Sequence, residues 1–131
     1  MIKKLEVEDI VKILHLKDDD FNNLFVCEKG EWVQFLIQNA DNEDFFMYGY
    51  EEEGKLIGYL IAYFISLPIC KGVSVLYSKT AGLSVNKKVL EKLKDWAILK
   101  KAKTIDIITN NVVGHSIYGF EKTGTTMAIK L

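Results

Sequence analysis

A short loop of small residues, KTAGLS at positions 79–84, has the composition expected of a site for a phosphate group. It precedes the most regular helical pattern in the chain, and small residues let a backbone approach a ligand closely. A helix that begins at such a loop offers unpaired backbone N–H groups and the positive end of its dipole. The loop could equally be a plain strand-to-helix connection, with Ser84 or Asn86 as the helix N-cap.

Two side chains near the C-terminal end could move a proton. His115 can donate or accept a proton, because the ordinary pKa of histidine, about 6.5, lies close to neutral pH. Tyr118 is the neighbouring candidate and stands beside a glycine, in the stretch HSIYGF. The alternatives are that His115 is an exposed helix residue and that Tyr118 serves packing.

The charges of the chain are divided between its two halves. Residues 1–54 contain 5 lysines and 14 acidic residues, whereas residues 55–131 contain 12 lysines and 4 acidic residues. The basic half suits an anionic ligand, to which Lys79, Lys87 or Lys88 could contribute, and the acidic half suits a cationic one. The alternative is that both sets of charges are solvated surfaces without a ligand.

Composition excludes several classes of protein. With 131 residues, 49% of them hydrophobic, and a net charge of −1, the chain is expected to form one globular domain over residues 1–131. It contains no apolar run of the ~18 residues that span a membrane and no secretory signal, so we expect a cytoplasmic protein. Its two histidines lack the spacing of metal ligands. Nucleic-acid binding is disfavoured, because all 17 basic residues are lysines and the aromatic residues lie away from the lysine-rich helix.

Hydrophobic periodicity predicts ten elements in the order βααβββαβαβ. The predicted strands are residues 2–5, 45–50, 56–66, 72–78, 104–109 and 123–131, and the predicted helices are residues 7–16, 30–40, 86–101 and 111–118. A strand meander followed by strand–helix–strand implies an α/β (α+β) fold. We therefore predict a mixed, mostly antiparallel central sheet flanked by helices on both sides.

Four stretches in this order resemble the GCN5-related N-acetyltransferase (GNAT) superfamily. They are VEDIVKIL, YEEEGKLIGYLIAYFI, LKDWAILKKAKTIDIITNN and YGFEKTGTTMAIKL, which are distributed from residue 7 to residue 131. The resemblance implies an acyl-CoA-dependent N-acyltransferase that uses acetyl-CoA as co-substrate. It also implies that Gly119 makes the turn into the last strand and that Phe120 fills the core.

The resemblance assigns a donor site around the loop. The backbone around Leu76–Ser78 would polarise the thioester carbonyl, the loop Lys79–Ser84 would bind the pyrophosphate, and Lys87 would reach the 3′-phosphate. The residues so assigned are Leu76, Tyr77, Ser78, Lys79, Thr80, Ala81, Gly82, Leu83, Ser84 and Lys87. The family often places a proton-donating tyrosine four residues before the glycine of its closing turn, and that position is His115 here, with Tyr118 as the alternative.

Two departures from the family pattern leave a second function open. The family's loop is usually Gln/Arg-x-x-Gly-x-Gly/Ala, whereas this chain has Lys79 first and Ser84 last, and no Glu or Asp stands at residues 56–78 to act as base. The alternative is a catalytically degenerate binding or regulatory domain of the kind that phages and mobile elements encode. For the enzyme, the acceptor would be a small-molecule or protein amine, attracted by Asp18–Asp20, Glu43 and Asp44, and a homodimer is compatible with the apolar strands.

Overall fold

A computed structural model describes residues 1–19, 21, 27–108, 115–116, 118–124, 127 and 129. The strands are β1 (Ile2–Lys4), β2 (Phe45–Glu52), β3 (Lys55–Leu67), β4 (Cys70–Lys79) and β5 (Thr104–Ile107). The helices are α1 (Val7–Ile10), which continues as the 3-10 helix Val11–His15, then α2 (Lys29–Gln38) and α3 (Leu83–Leu99). The first eight predicted elements are therefore present in the predicted order.

The five strands form one sheet in the order β1-β2-β3-β4-β5. The first four strands pair antiparallel, and β5 pairs parallel to β4. The parallel pair is possible because α3 supplies the crossover between these two strands. The predicted mixed, mostly antiparallel sheet is confirmed.

The sheet separates two hydrophobic cores. On one face, α1 and α2 pack against it, with Ile10, Leu36 and Ile61 fully buried. On the other face, Leu93 of α3 packs against Val73, and both side chains are fully buried. Each such side chain stabilises the fold by about 1.5–3 kcal/mol, so the flanking helices hold the sheet from both sides.

Helix α3 has the amphipathic pattern that its sequence predicts. Its buried residues are Val89, Leu90, Leu93 and Ala97, which recur at helical spacing and face the sheet. These residues pack the helix against the sheet, and this packing fixes where the N-terminus of the helix lies. Among the described residues, no helix combines the length and the apolar character needed to cross a membrane.

The turn between β2 and β3 uses two left-handed residues. Glu53 has φ 52° and Gly54 has φ 77°. Two consecutive positive φ values give a hairpin turn whose twist matches the twist of the flanking strands. The predicted turn at residues 51–55 is thus confirmed, and a shift of register just beyond it brings Gly58 opposite Tyr50.

The last predicted helix and strand lie largely outside the described residues. Within the predicted helix at 111–118, residues 115 and 116 are helical. Within the predicted strand at 123–131, the described residues Thr123, Gly124, Met127 and Ile129 are not in a strand. Gly119 has φ 93°, so the sharp turn expected there is present. Phe120 is half-buried against the core on the α3 face.

A buried carboxylate ties β1, α1 and β2 together. Asp9 is 1% exposed, and its side chain accepts hydrogen bonds from the Lys3 ammonium at 3.0 Å and the Glu6 N–H at 2.9 Å. Lys12 lies 3.7 Å from the same carboxylate and 2.6 Å from Glu51. Burial opposes the ionisation of Asp9, but the hydrogen bonds from Glu6 and Lys3 outweigh it, so the pKa of Asp9 is lowered.

We expect Asp9→Asn to lower the free energy of unfolding by about 2 kcal/mol at pH 7, because it removes a charge-assisted hydrogen bond from a buried site. A carboxyl group whose pKa is lowered by folding stabilises the protein above its unfolded pKa of about 3.9. That contribution is lost as the pH falls below this value, so the difference between variant and wild type should shrink by pH 3. Urea unfolding at both pH values measures it.

The matched control for Asp9→Asn is Glu91→Gln on the surface of α3. Glu91 pairs with Lys94 at 3.6 Å, and its side chain is 70% exposed. A pair of this kind contributes little, so Glu91→Gln should leave the unfolding free energy within about 0.5 kcal/mol of wild type. Equal losses in the two variants would contradict the role given to Asp9.

Candidate functional site

Strand β4 is longer than its pairing with β5. The two strands pair only from Gly72 opposite Thr104 to Val75 opposite Ile107. Beyond Val75, the residues Tyr77, Ser78 and Lys79 pair with β3, and the described part of β5 does not extend alongside them. The backbone at this end of β4 can therefore form hydrogen bonds with an extended ligand.

A β-bulge lies where β4 leaves β5. Ala62 of β3 faces Val75 and the preceding Ile61 faces Tyr77, so Leu76 is an extra residue on β4. A bulge interrupts the ladder and re-aims the side chains that follow it. Val75 therefore packs in the core on the α3 face, whereas Tyr77 packs in the core on the α1–α2 face. The bulge also takes the Leu76 backbone out of the regular pairing with β3. Leu76 is one of the positions predicted to polarise a carbonyl.

The loop after β4 leads into α3 earlier than predicted. The helix begins at Leu83 instead of Asn86, and Gly82 is its N-cap, with φ 110° and ψ 157°. Neither Ser84 nor Asn86 is the N-cap, and no side chain caps this helix. The first main-chain hydrogen bond of the helix joins the Asn86 N–H to the Gly82 carbonyl at 2.9 Å. The N–H groups before Asn86 are left to point out of the helix, as anion binding requires.

Gly58 allows the loop to lie directly on β3. A Cβ atom at Gly58 would stand 2.5 Å from the Lys79 carbonyl oxygen and 2.9 Å from the Ala81 Cβ. These contacts are closer than van der Waals packing permits, so only glycine fits. Beside it lies a cavity of about 30 Å³ between the sheet and the start of α3, bordered by Ser78 and Val85.

The charges around the loop favour an anion. No acidic residue lies in the first turn of α3. Lys79 is half-buried at the end of β4, and Thr80, Gly82, Leu83, Ser84 and Lys87 are exposed. The helix dipole and the nearby lysines add positive potential at the same place. Lys79–Ser84 and Lys87, which the resemblance assigns to a phosphate-bearing ligand, thus lie at and around the start of α3.

Asn86 joins the loop to one of the two predicted proton donors. Its carbonyl oxygen Oδ1 accepts from the Ala81 N–H at 3.2 Å, and its amide Nδ2 donates to the Tyr118 hydroxyl at 3.3 Å. The Tyr118 hydroxyl therefore lies beside the N-terminus of α3. The His115 ring packs edge-on against Phe120, with ring centroids 6.1 Å apart, and is half-buried instead of exposed.

A buried hydrogen bond between Tyr77 and Asp18, on the opposite face of the sheet, was not predicted from the sequence. The Tyr77 hydroxyl donates to Asp18 Oδ2 at 2.6 Å, and Asp18 is 5% exposed. The sequence placed Asp18 in an exposed acidic loop because KDDDFNN is polar throughout, and its neighbour Asp19 is indeed exposed. No local signal distinguishes the aspartate that turns inward, because its partner is 59 residues away.

The acidic residues expected to attract an acceptor do not form one site. Asp44 accepts a hydrogen bond from Lys100 at 3.3 Å, and Lys100 directly follows the C-terminus of α3. The 17 residues of α3 separate this pair from the loop by about 25 Å. A larger cavity of about 330 Å³ lies near Asp41 and Trp96, also at that distant end. Asp20 lies outside the described residues, and of the described residues in this predicted set only Asp18 is buried, beside the bulge.

Comparison with known proteins supports the fold. No protein-family model matches the sequence, and no curated protein matches it. Solved structures do. Glucosamine-6-phosphate N-acetyltransferase from Arabidopsis thaliana is 19% identical with a TM-score of 0.78, and the match covers 99% of this chain and 97% of that chain.

Two further structures match over nearly their whole length. A predicted acetyltransferase from Clostridium acetobutylicum, solved with acetyl-CoA, is 14% identical with a TM-score of 0.80, covering 99% of this chain and 95% of that one. A ribosomal-protein-alanine N-acetyltransferase from Brucella melitensis is 16% identical with a TM-score of 0.72, covering 100% and 99%. At such identities the likeness shows a shared fold.

Proposed function

We propose that this chain, which has the fold of the GCN5-related N-acetyltransferases that its sequence resembles, is an acyl-CoA-dependent N-acyltransferase. It would move an acetyl group from acetyl-CoA to an amine in the cytoplasm. The observation that carries the proposal is the end of β4, which has a bulge at Leu76, extends beyond the pairing with β5 and leads directly into the uncapped N-terminus of α3. An extended thioester arm that ends in phosphates has the shape and charge for this groove.

The β4 edge would hold and polarise the thioester. The extended arm of the donor would add to the edge as another strand does, through backbone hydrogen bonds. The bulge at Leu76 leaves backbone groups free of the regular ladder, and an N–H there would donate to the thioester oxygen. A donor fixed in advance at this oxygen stabilises the negative charge that develops when an amine attacks.

The start of α3 would bind the phosphates. Its unpaired N–H groups and dipole would hold the pyrophosphate, Lys79 would add charge, and Lys87 would reach the 3′-phosphate. Gly82 fits this role because its φ of 110° suits glycine and no atom lies within 4 Å of its missing Cβ. Lysine in place of arginine still supplies the charge, but without a bidentate fork.

Tyr118 is the better placed proton donor. The amine nitrogen forms its bond to the acyl carbon, the carbon–sulfur bond breaks, and the leaving thiolate takes a proton from the Tyr118 hydroxyl. The amine gives up its own proton to water, and water returns a proton to the Tyr118 phenolate, which restores the hydroxyl. Asn86 donates to the Tyr118 hydroxyl oxygen and holds it beside the loop, whereas the ring contact of His115 is with Phe120.

A single substitution can separate donor binding from folding. Ser84 is exposed in the first turn of α3. We expect Ser84→Asp to keep or slightly raise the melting temperature, because an acidic residue is favourable at a helix N-terminus. The same charge should repel the pyrophosphate and weaken acetyl-CoA binding about tenfold or more. Isothermal titration gives the dissociation constants, and Ser84→Asn is the uncharged control.

Thermal unfolding with acetyl-CoA tests the proposal itself. At a hundred times the dissociation constant, specific binding should stabilise the wild-type fold by about 2.7 kcal/mol. No stabilisation by acetyl-CoA or longer acyl donors would refute the proposed function. Binding without acetylation of any amine would identify the alternative, a binding or regulatory domain that keeps the fold without the reaction.

A further inference from the structure

Asp18 has a buried oxygen atom that accepts no hydrogen bond from the part of the chain that the structure describes. Its Oδ2 accepts from the Tyr77 hydroxyl at 2.6 Å, whereas its Oδ1 is buried and has no hydrogen-bond partner. None of the ion pairs among the described residues includes Asp18. A buried carboxylate oxygen without a partner costs stability, which is expected where a protein keeps it for a ligand.

Aromatic rings pack around the tyrosine that bonds this carboxylate. The Tyr77 ring, whose hydroxyl bonds Asp18, has its centroid 5.9 Å from that of Phe21, 6.4 Å from that of Trp32 and 5.7 Å from that of Tyr59. Trp32 Nε1 donates to the Tyr59 hydroxyl at 3.0 Å. Ring faces attract cations, and a carboxylate among them pairs with a cation that can donate hydrogen bonds.

The neighbouring phenol supplies no compensating charge. Burial raises the pKa of Tyr59, and the Asp18 carboxylate raises it further, against the opposing effect of the Trp32 hydrogen bond. Tyr59 therefore stays neutral at physiological pH. The site combines one negative charge, neutral hydroxyls and ring faces, which is the environment that an ammonium group prefers.

The position of the site relative to β4 separates it from the reacting atoms. Tyr77 directly follows the bulge residue Leu76, and Asp18 is bonded to the far end of the Tyr77 side chain. Asp18 is thus one tyrosine side chain away from the β4 backbone where the thioester would lie. That separation is too long for contact with the attacking nitrogen, but it suits another group of the same acceptor.

We propose that the acceptor is a molecule with two amino groups, and that Asp18 binds the ammonium group that does not react. This inference rests on the proposed function and names its substrate class. Asp18 Oδ1 would accept a hydrogen bond from this ammonium, with the rings of Phe21, Trp32, Tyr59 and Tyr77 around it. The other amine would then reach the thioester beside Leu76. Asp18 is therefore a specificity residue, and the amine gives its proton to water as before.

The indole N–H signal of Trp32 reports on the site directly. Because Asp18 Oδ1 is buried, binding of a cation has to move a neighbouring side chain, and Trp32 is in the cluster. The chain has two tryptophans, so a Trp96→Phe variant assigns the Trp32 signal. In the full chain without acetyl-CoA, 1,4-diaminobutane should shift this signal saturably, whereas the neutral butane-1,4-diol of the same length should not.

Asp18→Asn is the decisive variant, because it keeps the size of the side chain and an oxygen for Tyr77 while removing the charge. The saturable shift should be lost, and the melting temperature should stay equal to wild type or rise. A shift that persists in Asp18→Asn, or that butane-1,4-diol reproduces, would overturn the inference. If the variant does not fold, the comparison of the two ligands on the wild type still decides.

Kinetics then separates this inference from the proposed function. We expect kcat/KM for 1,4-diaminobutane to exceed that for butylamine about tenfold or more, and Asp18→Asn to lower the ratio of these two kcat/KM values to about one. A preference for 1,4-diaminobutane that survives Asp18→Asn refutes the inference but does not affect the proposed acyltransferase function. A Trp32 shift without acetylation of either amine, or without acetyl-CoA binding, keeps the cation site and refutes the acyltransferase.

Discussion

Gly58→Ala is expected to destabilise the protein by about 3 kcal/mol and to abolish measurable acetyl-CoA binding, although it adds a single methyl group. The added carbon would meet the Lys79 carbonyl oxygen at 2.5 Å and the Ala81 Cβ and N–H nitrogen at 2.9 and 3.1 Å. Two of these three atoms belong to the backbone, so no side chain can move aside. Either β3 or the loop has to shift, and the loop is the part that would bind the phosphates.

The size of this effect can be measured by chemical unfolding and by titration with acetyl-CoA. For a domain of this size, a loss of about 3 kcal/mol lowers the melting temperature by roughly 10 °C. Gly58 is not among the glycines with positive φ, so the cost comes from packing and not from the backbone conformation of alanine. The variant thus tests the contact between β3 and the loop specifically.

Gly30→Ala is the matched control, because it makes the same chemical change without a contact. Gly30 lies in the first turn of α2, and nothing stands within 4 Å of the position of its Cβ. Alanine in a helix is more stable than glycine by about 0.5–1 kcal/mol, so this variant should be slightly stabilised. If Gly58→Ala also leaves stability and binding unchanged, the close approach of the loop to β3 is refuted.

Elements whose signals are local could be predicted from the sequence. The apolar stripe of α3 and the turn at Gly54 both depend on neighbouring residues, and the structure has each where its pattern indicates. The sheet order followed from these elements, because consecutive antiparallel strands pair and a helix has to connect two parallel ones. The periodicity of the chain therefore determines most of the fold that positions the site.

The start of α3 was predicted three residues late for a physical reason. Ser84 and Asn86 are good N-cap residues, so propensity placed the boundary at them. The structure instead begins the helix at Leu83 after Gly82, because glycine alone adopts φ 110° freely. The preferences of single residues locate an N-cap only to within one helical turn. The backbone conformation that follows β4 then decides which residue is the N-cap, here Gly82.

The contacts that shape the candidate site join residues far apart in the chain. Tyr77 and Asp18 are separated by 59 residues, and Asn86 and Tyr118 by 32 residues. Neither pair has a spacing that a pattern could reveal. The bulge at Leu76 interrupts the alternation of β4 at Val75-Leu76-Tyr77, but a run of three apolar residues does not show which of them is the extra residue. These features required the tertiary structure.

The hydrogen bond from Asn86 holds the Tyr118 hydroxyl where it could give a proton to the leaving thiolate. A thiolate leaving from a donor held along β4 needs a proton, and Tyr118 presents its hydroxyl at the helix that would bind the same donor. Tyr118 also packs against the core on the α3 face, so its ring is held while its hydroxyl remains available. Phenylalanine at this position keeps the ring and removes only the group that could give a proton.

Tyr118→Phe is therefore expected to lower kcat about 10²- to 10³-fold, the usual contribution of a general acid, while the dissociation constant for acetyl-CoA stays within about threefold of wild type. Loss of the Asn86 hydrogen bond should cost only about 1 kcal/mol of stability. His115→Gln is the control. A general acid contributes more than tenfold to kcat, so a variant of a residue that is not the general acid should retain kcat within about tenfold of wild type. The reverse pattern, a large loss in His115→Gln and little in Tyr118→Phe, would assign the proton to His115, four residues before Gly119, and would make Tyr118 a packing residue.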